Sequence, residues 1–152
     1  MSISSLLVAN QIFSQGDITS KKRLLEFIAE KAAEELELPQ NTIYNKLLER
    51  ERLGSTGLGE GIAVPHARLE DLKEAHAWLV KLDEGINYDA IDKLNVDLIF
   101  ALFIPGDSTE EHLQILASLA GIFSQKSVTD KIRSSQSAQE IIAHIQQAEQ
   151  KS

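Results

Sequence analysis

The spacing of apolar residues predicts helices in the first third of the chain. Between residues 19 and about 37, apolar side chains recur every three or four positions, which is the period of an amphipathic helix. Ser20 or Thr19 can cap this helix, and Pro39 ends it. A second helix follows, and Asn41 is the predicted cap at its start.

Continuous apolar runs predict strands further along the chain. Residues 61–64 and 77–82 are short apolar runs that favour strands, and residues 84–92 are expected to form a turn or loop. The clearest strand is VDLIFALFIPG, residues 96–106, which is apolar at nearly every position. A strand that is apolar on both faces is expected at the centre of a sheet that helices cover on each side.

The last third of the chain is predicted to be helical. Three serines, each followed three positions later by an acidic residue, are capping patterns that open helices: Ser108 with Glu111, Ser127 with Asp130, and Ser137 with Glu140. The first of these helices should run to about Phe123. Because helices alternate with buried strands, we predict an α/β fold: a single layered domain over residues 1–152, with a central mixed β-sheet flanked by helices on both faces.

Composition limits the classes of partner and the compartment. The formal net charge is −8, so we expect no nucleic-acid partner, because phosphate backbones are bound by clustered lysine and arginine. The N-terminus has no basic leader, and no apolar run approaches the roughly 20 residues that cross a bilayer. We therefore expect a cytoplasmic protein without membrane insertion. The chain has no cysteine, which excludes disulfides and thiolate metal ligands.

The segment GSTGLGEGIAVPH, residues 54–66, joins a glycine cluster to a Pro–His pair. It does not match a dinucleotide fingerprint, because Ile62 stands at the third glycine position, and it lacks the lysine of a P-loop. Gly54 is placed to close the second helix in a left-handed conformation. Glycine amides can donate to an anion, and Pro65 stiffens the backbone that carries His66. A neutral imidazole there, with one N–H held by a fixed acceptor such as a backbone carbonyl, is suited to accept a phosphoryl group.

The segment STGLGEGIAVPHARL resembles the phosphorylation-site signature of the fructose/mannitol-type enzyme IIA domains (EIIA type 2) of the phosphoenolpyruvate-dependent phosphotransferase system. The resemblance covers nearly the whole chain, including VDLIFALFIPGDSTEEHLQILASLA. It is closer to the nitrogen-regulatory branch than to the mannitol type, which often has tyrosine where Gly57 stands. The chain departs from the pattern at Ala67, where many members have glycine. The resemblance implies a phosphohistidine carrier that needs no cofactor and no metal.

The resemblance also implies a role for particular residues. His66 would accept the phosphoryl group from an HPr-type phosphocarrier protein, while His112 and Arg50 would stabilise the phosphate and Thr56 would hydrogen-bond it. In the segment LLERER, Arg52 competes with Arg50 for this role. The downstream partner would be a IIB subunit of a sugar permease or a regulated kinase or transporter. The resemblance settles neither the target, nor the oligomeric state, nor the ring nitrogen that is phosphorylated.

Two other classes of function stay open at this point. A hydrolase could use Ser55 or Thr56 as nucleophile with His66 as base, but no G-x-S-x-G motif and no orienting acid is present. A metal-binding domain could use His66, His76 and His112, but no H-E-x-x-H spacing occurs. Four further aromatic residues are expected to serve structure: His76, Trp78, Tyr88, and His144 on the exposed side of the terminal helix.

Overall fold

The computed structural model describes residues 3–8, 11–107 and 110–151, with Glu111 and His112 described by their backbone alone. Within these residues the chain forms six strands and five α-helices: β1 (Ile12–Gln15), α1 (Lys21–Leu36), α2 (Gln40–Arg52), β2 (Gly57–Gly59), β3 (Ile62–Ala63), β4 (His66–Leu69), β5 (His76–Ile86), β6 (Val96–Pro105), α3 (Glu110–Phe123), α4 (Lys126–Ser134) and α5 (Ala138–Lys151). A single 3₁₀ turn at Ser4–Leu6 precedes β1.

The strands form one mixed sheet, and β6 lies at its centre as predicted. The strand order is β1-β5-β6-β3-β2, and β4 also pairs with β6. β5 runs antiparallel to β6, whereas β3 and β4 both run parallel to it. Ile62 of β3 lies opposite Leu98, and His66 of β4 lies opposite Leu102 further along the same strand. β3 and β4 therefore occupy successive stretches along one side of β6.

Helices cover both faces of the sheet, which confirms the predicted layered α/β fold. Alternate residues of β6 point into two separate cores, as the two-residue period of a strand requires. Ile99, Ala101 and Phe103 pack with α1 and α2, whereas Phe100 and Leu102 pack with α3, α4 and α5. No helix in the described ranges has both the length and the apolar character needed to cross a membrane.

Two of the predicted helix starts are confirmed by their capping hydrogen bonds. The backbone N–H of Arg23 donates to Ser20 Oγ at 3.1 Å, so Ser20 caps α1. The backbone N–H of Glu140 donates to Ser137 Oγ at 3.2 Å, immediately before α5. In both cases the hydroxyl satisfies an amide that has no partner within its own helix.

Two other predicted caps are wrong, each by two positions. α2 begins at residue 40, because the Pro39 carbonyl already accepts from the Ile43 amide, and Asn41 therefore lies inside the first turn. α4 begins at residue 126, because the Gln125 carbonyl accepts from the Thr129 amide. Ser127 therefore lies inside the first turn as well. Both caps act through backbone carbonyls, which a search for capping side chains does not detect.

Several other boundaries differ from the predictions. β5 extends through Ile86, so the predicted loop over 84–92 begins three residues later. Leu53 caps the end of α2, and Gly54 follows with φ 148°, well outside the left-handed helical region. Ser108 lies outside the described residues, so its capping role stays a prediction, whereas α3 ends at Phe123 as expected. The short strands β1, β2 and β4 were not predicted.

The last turn of α1 provides a test of the fold. Glu37 follows the helix with φ 57° and ψ 41°, a left-handed conformation that costs a residue with a Cβ roughly 1 kcal/mol. We expect Glu37→Gly to raise the free energy of unfolding by about 0.5–1 kcal/mol, measured by urea denaturation. Glu35→Gly removes the same charge at an exposed position inside α1, and it should lower the free energy of unfolding by about 0.5–1 kcal/mol. Equal effects of the two substitutions would contradict this.

Candidate functional site

His66 is held in a defined orientation at the start of β4. Its Nδ1 lies 2.9 Å from the Val64 carbonyl oxygen, and its Nε2 lies 3.3 Å from Arg50 Nε. A carbonyl can only accept a hydrogen bond and a guanidinium can only donate one. The ring is therefore the neutral tautomer with the proton on Nδ1 and a lone pair on Nε2. The backbone carbonyl expected to orient the imidazole belongs to Val64.

Arg50, in the last turn of α2, is the arginine that contacts the imidazole. Besides donating to His66, its Nη1 donates to the Gly54 carbonyl at 2.8 Å, so two hydrogen bonds fix the plane of the guanidinium. Arg52 lies elsewhere, in a groove between α1 and α2. The geometry thus places the predicted Arg50, rather than its competitor Arg52, beside His66.

His66 and Arg50 open onto a cleft of about 480 Å³ between α2, β4 and α3. The cleft also contains the charged side chains Lys46, Arg68, Glu49 and Glu70. Leu113 and Leu116 of α3 form one wall. The backbone of His112 lies in the first turn of α3, directly before Leu113, while its side chain lies outside the description. The predicted contribution of His112 to the cleft therefore stays a prediction.

Burial sets the protonation state of His66. The side chain is half-buried, and this desolvation lowers the pKa of the imidazole below 6.5. The hydrogen bond to Val64 and the negative charge of Glu51 act in the opposite direction and raise this pKa, whereas the positive charge of Arg50 lowers it further. The resulting neutral ring at pH 7 keeps the Nε2 lone pair available.

Gly57, Gly59 and Gly61 belong to the β2–β3 hairpin, and no glycine of the segment 54–61 lines the cleft. Gly59 and Gly61 have φ of 95° and 84° at the tight turn between β2 and β3. Arg133 of α4 donates to the Glu60 carbonyl at 2.9 Å, and a Cβ on Gly61 would collide with its guanidinium. The predicted role of glycine amides as anion donors therefore gains no support. Positive φ at Gly54, Gly59 and Gly61 and close packing at Gly57 and Gly61 account for the glycines.

Thr56 lies beneath the cleft instead of inside it. It is 5% exposed, and its hydroxyl hydrogen-bonds Glu51 and lies 2.9 Å from the Tyr88 hydroxyl. A phosphate in the cleft could reach this hydroxyl only if the buried hydrogen bonds were broken. The predicted contact of Thr56 with phosphate thus lacks geometric support, because the hydroxyl is committed to other partners.

Glu51 and Tyr88 are polar members of this buried cluster that the sequence analysis missed. The Tyr88 hydroxyl donates to Glu51 Oε1 at 3.0 Å, and Lys21 Nζ pairs with Glu51 Oε2 at 3.0 Å. Burial, reinforced by the Glu51 charge, raises the pKa of the Tyr88 phenol well above its ordinary value. Tyr88 is therefore protonated and serves as a donor, in addition to the packing role predicted for it.

The structure also places four other residues that the sequence singled out, namely Trp78, His144, Ala67 and His76. Trp78 is a packing residue, buried with its ring edge-on to Phe103 at 5.7 Å. His144 is half-buried, with an Nδ1 that has no hydrogen-bond partner among the residues that the structure describes, so its predicted exposure is wrong. Ala67 lies in extended backbone opposite Phe103 in β6, a conformation that does not require glycine. His76 lies 6.3 Å from Trp78, ring to ring.

The hydroxyls of Ser55 and Thr56, the nucleophiles that a hydrolase would need, are engaged with partners other than His66. Ser55 Oγ donates to the Tyr88 carbonyl at 3.3 Å and accepts from the Gly57 amide at 3.1 Å. Thr56 is directed at Glu51, and the orienting partner of His66 is a carbonyl instead of an acid. Neither hydroxyl is paired with the imidazole as a nucleophile would be with its base. The geometry therefore disfavours a hydrolase.

Comparison with known proteins identifies a family for this chain, whose α/β fold carries the histidine–arginine cleft. The family model "Phosphoenolpyruvate-dependent sugar phosphotransferase system, EIIA 2" matches residues 5–148, and the chain belongs to this family. The nitrogen regulatory protein of Escherichia coli K12 is 41% identical over 150 residues, covering 98% of this chain and 92% of the relative. The crystal structure of nitrogen regulatory protein IIA-Ntr from Neisseria meningitidis matches with a TM-score of 0.89 at 38% identity, covering 94% and 98% of the two chains.

The sugar-transporting branch shares the fold. Enzyme IIA mannitol of Escherichia coli, solved in complex with phosphorylated enzyme IIB mannitol, matches with a TM-score of 0.76 at 22% identity, covering 93% of this chain and 97% of that one. At that identity the likeness shows the fold alone. The nitrogen regulatory proteins, by contrast, resemble this chain in sequence as well as in fold.

The His66–Arg50 pair makes a direct prediction about protonation. We expect the His66 pKa to lie below 6.5, and we expect Arg50→Met to raise it, because a neighbouring positive charge that disfavours the imidazolium is removed. Two-dimensional NMR of the ¹⁵N-labelled imidazole across a pH series would measure both values. Arg52→Met is the matched control and should leave the pKa unchanged. A wild-type pKa above 6.5, or equal shifts in both variants, would refute the assignment.

Proposed function

We propose that this chain is a phosphoryl-accepting IIA component of the phosphotransferase system, phosphorylated on His66 by an HPr-type carrier, and that it acts as a nitrogen-related regulator. The observation that supports this most directly is the neutral, oriented imidazole whose Nε2 faces a guanidinium in an open cleft. The proposal treats residues 1–152 as a single EIIA type-2 domain working in the cytoplasm. It requires no metal and no cofactor.

The transfer step follows from the tautomer. The Nε2 lone pair of His66 forms the new P–N bond while the P–N bond of the carrier breaks, and that electron pair returns to the imidazole of the carrier. The ring of His66 then bears positive charge, which the Val64 carbonyl stabilises by accepting the Nδ1 proton in a hydrogen bond. No proton needs to leave the ring. The reaction is therefore a reversible transfer between two imidazoles.

Arg50 supplies the electrostatic stabilisation. In the unphosphorylated protein its Nε–H occupies the Nε2 lone pair, so it must turn from the nitrogen to the phosphoryl oxygens during transfer. A phosphoryl group in transit carries charge on its equatorial oxygens, and a guanidinium presents parallel N–H donors to them. His112 is proposed as a second donor, since its backbone lies in the first turn of α3, where the helix dipole favours an anion.

The regulatory assignment rests on sequence similarity to nitrogen regulatory proteins over nearly the whole chain. In such a role, the phosphoryl group brings about −1.5 to −2 charges to the cleft, partly offset by the positive charge of the His66 ring, and changes which partner docks there. The downstream partner would be a kinase or a transporter. The alternative is a sugar-specific component that passes phosphate to a permease IIB domain, as suggested by the mannitol relative solved with its phosphorylated IIB partner.

The first test addresses the acceptor and its arginine. We expect His66→Ala to abolish incorporation of phosphate from a phosphorylated HPr-type carrier, measured by intact-protein mass spectrometry. Arg50→Lys should slow incorporation by about 100-fold, because an ammonium cannot replace the paired N–H donors of guanidinium. The control Arg52→Lys, at the neighbouring exposed position, should transfer at the wild-type rate. Incorporation of phosphate into the His66→Ala variant would rule out His66 as the phosphoryl acceptor.

A second test separates regulation from sugar transport. His66→Asp adds negative charge at the cleft, whereas His66→Ala does not, so a partner that senses phosphorylation should bind the two variants differently. Each variant would be used as bait, and captured proteins would be identified by mass spectrometry. Under the regulatory proposal a kinase or ion transporter is recovered with one variant preferentially. Preferential recovery of a permease IIB subunit would favour the sugar-specific alternative.

A further inference from the structure

A buried carboxylate lies one residue from the arginine that contacts His66. Glu51 is 8% exposed, although it stands within the charged segment LLERER. It lies in the last turn of α2, on the helix face opposite to solvent, together with Ile43 and Leu47. A buried carboxylate is costly unless its oxygens accept several hydrogen bonds, so the partners of Glu51 determine what it does.

Both carboxylate oxygens of Glu51 are fully engaged. Oε1 accepts from the Thr56 and Tyr88 hydroxyls, and Oε2 accepts from the Thr56 amide at 3.2 Å and from Lys21 Nζ at 3.0 Å. Lys21 also lies 4.4 Å from the centre of the Tyr88 ring. Four donors from three residues thus saturate the acceptor capacity of one carboxylate.

These donors come from segments that are distant along the chain. Lys21 begins α1, Thr56 belongs to the segment that leads into the β2–β3 hairpin, and Tyr88 follows β5. Glu51 itself lies beside Arg50 at the end of α2. The carboxylate therefore joins the end of the helix that carries Arg50 to the segment that leads, through β3, to His66.

We infer that Glu51 is a positioning residue, which holds the end of α2 against Thr56 and thereby sets Arg50 in register with the His66 imidazole. The inference rests on the proposed function, because the geometry it protects is that of phosphoryl transfer. Thr56 is the principal partner, since it supplies both its amide and its hydroxyl to Glu51. Through this contact Thr56 influences the site without touching phosphate.

The geometry explains why such an anchor is needed. Arg50 Nε meets His66 Nε2 at 3.3 Å, a long hydrogen bond that a small shift of the helix end would break. The other hydrogen bond from the guanidinium goes to Gly54, which lies between the helix and Thr56. The contact between Glu51 and Thr56 holds both ends of the segment 51–56, and the hydrogen bond from Arg50 to Gly54 lies within that segment. A displacement of about 1 Å at a reacting group can lower a rate by about 100-fold.

The test compares two substitutions at Thr56 that differ mainly in the hydroxyl. Thr56→Val is close in shape to threonine and removes the hydroxyl, whereas Thr56→Ser keeps it. Two further variants complete the set. Glu51→Gln replaces one carboxylate oxygen by an NH₂ group that cannot accept from Lys21, Thr56 or Tyr88. Glu35→Gln makes the same change at an exposed position of α1. Circular dichroism and thermal unfolding establish that each variant is folded.

Each folded variant is then measured in two ways. One measurement is the rate of phosphate incorporation from the phosphorylated carrier. The other is the ¹⁵N resonance of His66 Nε2 and the Arg50 Nε–H signal in the unphosphorylated protein. We expect Thr56→Val and Glu51→Gln to lower the rate by about 10- to 100-fold and to shift both signals. Thr56→Ser and Glu35→Gln should behave as wild type within about twofold.

The outcomes separate this inference from its alternatives. Wild-type rates and unshifted signals in Thr56→Val would overturn it, and so would a lower rate with unshifted signals, because Thr56 would then act on phosphate itself. If Glu51→Gln does not fold, the Thr56 pair decides alone. If even the wild-type protein takes up no phosphate, the proposed function fails, while the resonances still decide whether Glu51 and Thr56 hold Arg50 against His66.

Discussion

The hydrogen bond from His66 Nδ1 to the Val64 carbonyl determines the chemistry open to the imidazole. With the proton fixed on Nδ1, the lone pair lies on Nε2 and points toward Arg50 and the cleft. If the acceptor were absent, the two neutral tautomers would interconvert, and the nitrogen facing the cleft would carry a proton for part of the time. A contact between residues only two positions apart thus sets which ring nitrogen presents its lone pair to the cleft, and under the proposed function that nitrogen is the nucleophile.

The arrangement of β3 and β4 along β6 makes this contact possible. The two strands lie on the same side of β6 and are separated by two residues, Val64 and Pro65. The Pro65 carbonyl accepts from the Leu102 amide of β6 at 3.0 Å, which continues the parallel pairing across the break. Proline has no N–H to satisfy, so the interruption leaves no buried donor without a partner. The Val64 carbonyl is left facing the ring, and the imidazole sits where the strand is interrupted.

The parts of this structure that were predictable are those with a strong local pattern. β6 is apolar at successive positions, so its central place follows from the need to bury both faces. His66 could be singled out because a proline and a glycine cluster precede it. By contrast, β1 and β4 are four residues each, too short for a clear period, and they exist because β5 and β6 offer edges to pair with. Tertiary pairing of this kind leaves little trace in the local sequence.

Glu51 and Thr56 illustrate a different limit. The spacing Ile43–Leu47–Glu51 places the glutamate on the buried face of α2, a four-residue period visible in the sequence. Its position in a run of charged residues favoured solvent exposure, and its partners are far away along the chain. The family resemblance implied a contact of Thr56 with phosphate, whereas the Thr56 hydroxyl is directed to Glu51. Membership of a motif gives no information about the direction of a side chain.

The electrostatics of the cleft link these observations. The chain carries a formal charge of −8, and under the proposed function its site must nevertheless attract a dianionic phosphoryl group. Were it free, the Glu51 carboxylate would add to the negative charge that Glu49 and Glu70 already bring to the cleft, and it would compete for the Arg50 guanidinium. Lys21 and three hydrogen-bond donors hold both oxygens of Glu51 below the cleft, so these oxygens are engaged by partners other than Arg50, although the Glu51 charge still acts on the His66 imidazole. Under the proposed function the Arg50 guanidinium therefore keeps donors for the phosphate, and the buried carboxylate can hold the helix end in place without competing for those donors.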